Sequence, residues 1–169
     1  KAVALKPDNP HALYAMGMAL THIGKNTEAV TAFDAALAKN PYMAHAWYDR
    51  GTVLAGTNND DEAMKSFDRA ISLNPNYTSA YHDMGQLLFR MGRLSEAVTA
   101  FDRALAIDPH FGEVAYDRGV VLMEAGKYAP ARDSFGLALA EMPGESRVWF
   151  QKGRAEALLN EHAEAIADF

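Results

Sequence analysis

The 169-residue sequence predicts an all-α protein, an α-solenoid of stacked antiparallel helix pairs in about five repeats of 34 residues. Two observations carry that expectation. The first is a period: prolines stand at Pro7, Pro41, Pro75, Pro109 and Pro143, each 34 residues after the last. Glycines (Gly17, Gly51, Gly85, Gly119, Gly153), alanines (Ala29, Ala63, Ala97, Ala131, Ala165) and phenylalanines (Phe33, Phe67, Phe101, Phe135, Phe169) keep the same phase without an insertion. Self-similarity at such a period marks an array in which one supersecondary unit recurs. The second is composition: helix formers dominate, 49% of residues are apolar, and no stretch is rich in alternating β-branched residues.

The phase divides the chain into residues 1–9, the tail of a preceding repeat helix, then repeats at 10–43, 44–77, 78–111 and 112–145 and a partial repeat at 146–169. In the first repeat a helix over 10–23 ends at Gly24, which supplies a left-handed cap. A second helix over 27–39 stops at Asn40-Pro41, because proline lacks an N–H and restricts the residue before it. The same logic gives helices over 44–56 and 61–73 around Asn58, and over 78–91 and 95–107 around Gly92. It gives 112–125 and 129–141 around Gly126, with Pro130 in a first turn where a missing N–H costs nothing. The last repeat is expected as 146–159 and 162–169 around Asn160, and residues 1–5 as a lone helix turn against the first pair.

Each recurring residue has an expected task. The Gly17 series sits mid-helix, where glycine costs about 1 kcal/mol of propensity, and is expected to let the second helix's backbone come close. The Ala29 and Ala36 series are small for the same reason. Phe33 and its equivalents are expected to fill the space between one pair and the next, joined by Leu13, Trp47, Tyr81 and Trp149, with Ala115 the smallest of that column.

A Trp-x-x-x-Gly segment at Trp47-Tyr48-Asp49-Arg50-Gly51, then Ala97-Val98-Thr99-Ala100-Phe101 followed by Pro109, on a 34-residue period, resembles the tetratricopeptide repeat family. The resemblance covers essentially the whole chain. Arg50, Arg118 and Lys152 depart from it where an apolar residue precedes the glycine, and Glu156 departs where Leu20, Leu54, Leu88 and Leu122 stand. It implies a right-handed superhelix whose first helices line a concave groove that binds an extended peptide or a partner's helix.

On that face, residues three to four apart share a side. One column reads Tyr14, Tyr48, His82, Tyr116 and Phe150; the next reads Ala15, Asp49, Asp83, Asp117 and Gln151; one turn on lie Met18, Thr52, Gln86, Val120 and Arg154. The candidate partner-binding residues are therefore Tyr14, Tyr48, Asp49, His82, Asp83, Gln86, Tyr116, Asp117, Phe150 and Arg154. The groove is expected to be aromatic and acidic, turning basic at Arg147 and Arg154. Ionised aspartate only accepts hydrogen bonds, which favours an amine, guanidinium or amide N–H. The resemblance also offers two precedents: the family's carboxylate clamp is disfavoured by the three aspartates, whereas its asparagine ladder is the nearer analogue. The alternative for these aspartates is internal pairing with Arg50, Arg90 or Arg118, and for the aromatic column a padded wall.

The function classes narrow by chemistry. A net charge of −6 disfavours a nucleic-acid partner. No apolar run is long enough to span a bilayer, and the absence of cysteine excludes thiolate chemistry. No phosphate loop, His-Glu-x-x-His or Gly-x-Ser-x-Gly is present, so no enzyme activity and no cofactor are expected. A metal site from His11, His22 and His45 is disfavoured, since ligands must converge to about 2 Å. The expected role is a protein-interaction scaffold that takes a protein or peptide segment with basic and apolar residues, with a cytoplasmic location as default. The chain also reads as a segment cut from something longer, so a docking arm of a larger enzyme or regulator is the alternative. Apolar ends at Ala2-Val3-Ala4-Leu5 and at Ala165, Ile166 and Phe169 suggest end-to-end self-association as a further one.

Overall fold

The computed structural model describes residues 9–167, with side chains through Asn160. Among the described residues there are helices and no strands. They are α1 Pro10–His22, α2 Asn26–Lys39, α3 Ala44–Gly56, α4 Asp60–Leu73, α5 Thr78–Arg90, α6 Leu94–Ile107, α7 Gly112–Glu124, α8 Tyr128–Glu141 and α9 Ser146–Ala167. The chain divides into two compact units, Lys1–Ala80 and Tyr81–Phe169. The lone turn expected over residues 1–5 and the apolar end formed by Phe169 lie outside the described residues, as do the side chains of Ala165 and Ile166.

The starts and stops follow the local chemistry. Pro10 opens α1 behind Asn9, whose side chain accepts from the His11 N–H. Gly24, Gly92 and Gly126 take φ of +75°, +74° and +69° between paired helices, and Asn58 does the same job at +59°. At the far ends Asn40, Asn74 and Asp108 are extended ahead of their prolines. Their side-chain oxygens then accept from the N–H two residues on, in Tyr42, Asn76 and His110. These turns satisfy backbone donors that the helix cannot.

Asn160 departs from this pattern. It was expected to separate two helices, but α9 runs through it as one helix to Ala167. Asparagine permits a left-handed cap without requiring one, and the Glu161-His162-Ala163-Glu164-Ala165 run that follows contains no residue that breaks a helix.

Within each unit the core forms where the small and aromatic columns meet. Phe33, Phe67, Phe101 and Phe135 are at most 1% exposed, and the flanking alanines are sealed with them. The glycines make room for a ring and not for a backbone, contrary to expectation. A Cβ on Gly17, Gly51, Gly85 or Gly119 would stand 2.5 to 2.8 Å from the phenylalanine ring sixteen residues later. The phenylalanine thus packs inside its own pair, into the notch its glycine leaves. Gly153 meets nothing within 4 Å among the described residues, and Trp149, expected in the core, is 55% exposed. It donates from Nε1 to the Pro143 carbonyl, as Trp47 does to Pro41, and its ring lies under the Lys152 ammonium at 5.7 Å.

The arginines that depart from the family pattern are also accounted for. Arg50 donates from Nε to Asp34 at 2.7 Å and from Nη1 to the Ser66 hydroxyl at 2.6 Å, tying α2, α3 and α4 together in the first unit. Arg118 makes the same two bonds to Asp102 and Ser134 across α6, α7 and α8 in the second. Each serine hydroxyl also donates a hydrogen bond to a backbone carbonyl one turn back, so the buried group both donates and accepts. The first and third repeats carry Met16 with Ala32 and Met84 with Ala100 at the same positions. Arginine goes with serine and methionine with alanine, which makes two alternating repeat types.

Candidate functional site

The first helices carry the aromatic and acidic columns, and within each unit hydrogen bonds join two of them, α1 to α3 in the first and α5 to α7 in the second. In the first unit the Tyr14 hydroxyl on α1 donates to Asp49 Oδ2 on α3 at 2.7 Å. In the second unit His82 Nε2 on α5 lies 2.8 Å from Asp117 Oδ2 on α7, and the Gln86 amide donates to the same oxygen at 2.8 Å. His82 therefore carries its proton on Nε2 in this arrangement, since the carboxylate can only accept. Both bonds link residues 35 apart, the repeat length plus one. An aromatic donor from one repeat so meets the carboxylate standing one position further along the next.

These rungs settle part of the alternative pairing. Arg50 and Arg118 go to Asp34 and Asp102, so they are not the partners of Asp49 and Asp117. The carboxylates of Asp49 and Asp117 are oriented by neutral or ring donors, and each keeps Oδ1 as a further acceptor. Burial is the largest influence on Asp49 and pushes its carboxyl above the usual range, against the lowering effects of the Tyr14 hydrogen bond and of His45. Burial, then the bond to Asp49 and its charge, raise the Tyr14 phenol well above its ordinary value.

Aromatic neighbours fix the rings of the rungs. Tyr14 lies 5.9 Å from Phe33 and meets the edge of His45 at 4.6 Å. Tyr48 sits between Phe67 and Tyr77, with the Tyr77 ring 4.8 Å away. His82 is flanked by Phe101 and Phe111, and Tyr116 packs on Phe135 under the guanidinium of Arg147 at 4.7 Å. Arg147 also bonds Glu113. Tyr77 and Phe111 were not among the expected site residues. The signal was present, because Met43, Tyr77 and Phe111 form a column of the same 34-residue period.

At the far side of the second unit Phe150 is 68% exposed, and Arg154 lies over it at 5.9 Å while donating to Gln151. Asp83 stands 3.7 Å from His82 on the same helix. The structure thus brings Tyr14 and Asp49 together in one unit. In the other it gathers His82, Asp83, Gln86 and Asp117 around one carboxylate and imidazole, and groups Phe150 with Arg154 apart from them. Among the described residues no group of three metal-ligating side chains forms, and no helix is long and apolar enough to cross a membrane.

A two-helix unit of 34 residues, closed by glycine against phenylalanine and presenting polar rungs on its first helices, defines a helix-pair repeat protein. The tetratricopeptide repeat family profile matches residues 1–44, 14–78, 82–146 and 116–169. The chain belongs to that family. Similar solved structures include MamA from Desulfovibrio magneticus RS-1, at 23% identity over 85% of this chain and 81% of that one with a TM-score of 0.78. A second is YrrB, described as a tetratricopeptide repeat protein with an unusual peptide-binding site, at 19% identity over 94% and 82% with a TM-score of 0.81. A third is PilF of Pseudomonas aeruginosa, at 18% identity over 98% and 75% with a TM-score of 0.83. No curated protein matches the chain.

Proposed function

We propose that the chain is a protein-interaction scaffold whose first-helix faces hold an extended or helical segment of a partner, one that carries lysine or arginine beside apolar residues. The observation that carries this reading is the pair of rungs. Asp49 and Asp117 are held in fixed orientation by Tyr14 and by His82 with Gln86, at the same position in two repeats. A carboxylate already oriented by one donor loses little freedom when its second oxygen accepts another, and such preorganisation favours affinity. The half-buried rings of Tyr48, His82 and Tyr116 supply contact area at low entropic cost and can stack on a cation. Asp49, Asp83 and Asp117 select its charge, so added salt weakens the interaction. The peptide-binding site named for YrrB, on the same fold, supports the reading by likeness.

The test is selection from a displayed peptide library on the wild type and on the Asp49→Asn, Asp83→Asn, Asp117→Asn triple variant. Basic peptides are expected to enrich on the wild type and to lose that enrichment on the variant. Equal enrichment on both, or none on either, rejects the acidic faces as the binding surface.

A further inference from the structure

The aromatic column of the first helices reads Tyr14, Tyr48, His82, Tyr116 and Phe150, so one repeat places an imidazole where three others place a phenol. Histidine is the side chain whose ordinary titration falls in the neutral range, whereas tyrosine stays protonated there. The structure sets this imidazole among carboxylates. His82 Nε2 lies 2.8 Å from Asp117 Oδ2 on α7, and Nδ1 lies 3.7 Å from Asp83 Oδ1 on its own helix. With its proton on Nε2, the neutral ring turns the bare lone pair of Nδ1 toward a carboxylate that also only accepts. A second proton, taken from water onto Nδ1, converts that repulsion into an ion pair. Phe101 and Phe111 flank the ring, and the Gln86 amide lies 3.2 Å from Nε2. On α7, Glu113 one turn before Asp117 is bonded to Arg147, and Arg118 beside Asp117 is bonded to Asp102. The side chains of His82, Asp83 and Asp117 are 15%, 23% and 23% exposed, so salt screens them less than charges on open surface.

We infer that His82 is a proton switch on the acidic face of the second unit: protonated at Nδ1, it engages Asp83 as well as Asp117 and weakens that face's hold on a basic partner segment. The inference rests on the reading that first-helix faces bind such a segment, and it adds the regulation of that binding in the second unit. The charges set the direction. Above the histidine range the ring is neutral, and Asp83 and Asp117 present their charge to the partner. Below it the imidazolium offsets one carboxylate, repels an incoming cation and occupies an oxygen of Asp83. Lysine and arginine stay charged across the whole range, so the change lies in the face and not in the segment. Binding and proton uptake therefore oppose each other, and by linkage a bound basic segment promotes loss of the proton. The first unit builds its rung with the Tyr14 phenol, which burial and Asp49 keep protonated, so that rung lacks the imidazole's response.

The probe is a peptide from the displayed library that carries lysine or arginine but no histidine, aspartate or glutamate, and whose binding Asp117→Asn weakens. Its affinity for the whole chain is measured by calorimetry at about pH 8 and about pH 5.5, either side of the histidine range. The comparison is with His82→Tyr, which copies the other repeats, offers Asp117 a hydroxyl as Tyr14 does Asp49, and does not titrate in that interval. The wild type is expected to bind about threefold to fivefold more weakly at the lower pH, the range of an exposed ion pair. His82→Tyr is expected to lose most of that difference. His45 and Asp49 of the first unit are present in both chains, so their titration cancels in the comparison. At about pH 6.5 the heat in two buffers of different ionisation enthalpy is expected to show protons released on binding by the wild type, and fewer by His82→Gln, a second variant should the tyrosine not fit. Equal affinity at the two pH values, or a loss of the same size in the wild type and both variants, overturns the inference and leaves the broader reading standing. A library that yields no basic peptide sensitive to Asp117→Asn rejects the second unit's binding face itself, and the switch with it.

Discussion

Gly119→Ala and Gly153→Ala make the same chemical change at the same position of two repeats, and the structure gives them opposite signs. A Cβ on Gly119 would stand 2.5 Å from Phe135 Cε1 and 2.7 Å from Cδ1, in a ring with no exposed surface. Carbon atoms prefer about 3.5 to 4.0 Å, so the ring must retreat by about 1 Å inside a sealed core. Overpacking of that kind costs about 1 to 3 kcal/mol. Alanine regains about 1 kcal/mol of helix propensity, which leaves Gly119→Ala destabilised by up to about 2 kcal/mol. At Gly153 nothing lies within 4 Å among the described residues, so against those neighbours only the propensity gain of about 1 kcal/mol remains and the variant is expected to be more stable than the wild type. Urea unfolding followed by far-ultraviolet circular dichroism reads both shifts, and Phe135→Leu in the Gly119→Ala background is expected to recover part of the loss. Gly119→Ala more stable than the parent would refute the argument that the glycine column exists to seat the ring.

The other expectations separate stability from binding. Asp49→Asn keeps an acceptor for the Tyr14 hydroxyl while removing a charge that burial disfavours. Because the folded-state pKa is raised, the ionised form works against folding as pH rises through that pKa. The variant is expected to gain stability near neutral pH and to gain none in acid, as thermal unfolding at the two pH values will show; destabilisation at neutral pH would contradict it. In the second unit's arginine clasp, Ser134→Ala alone is expected to cost about 1.5 to 3 kcal/mol, the range for a hydrogen bond to a charged group. Arg118→Met with Ser134→Ala, which copies the Met84 and Ala100 pairing, is expected to recover most of it, and additive losses in a double-mutant cycle would reject the two-type reading. The hydrogen bond and charge of Glu141 raise the His110 pKa. That contribution to stability is therefore present below the ordinary histidine value and fades as pH rises through the raised one. Glu141→Gln is expected to lower the midpoint of the ring toward the ordinary histidine range in an NMR titration, and an unchanged midpoint would exclude the contact.

The sequence revealed what the period repeats and hid what it does not. Helix ends at Gly24, Asn58, Gly92, Gly126 and ahead of Pro41, Pro75 and Pro109 were legible because backbone geometry there depends on the local residue. The core columns were legible too, but not the task of Gly17 and its equivalents, since spacing alone cannot say whether a notch admits a backbone or a ring. The rungs were missed for a related reason. Tyr14 and Asp49 are separated by the period plus one, so neither column read alone discloses the pair, and the arginines beside the aspartates offered a nearer but wrong partner. Phe150 and Trp149 are exposed and α9 continues past Asn160, where no residue dictates the choice between turn and helix.

The most direct test of the account is to map a selected basic peptide onto the chain by ¹⁵N chemical-shift perturbation at saturating concentration. The account predicts that the changes gather on first helices, in α1, α3, α5 and α7 around Tyr14, Asp49, His82 and Asp117, and spare the outer positions of α2, α4, α6 and α8. Perturbations centred on the second helices, with the amides and side chains of the rungs unmoved, would contradict it.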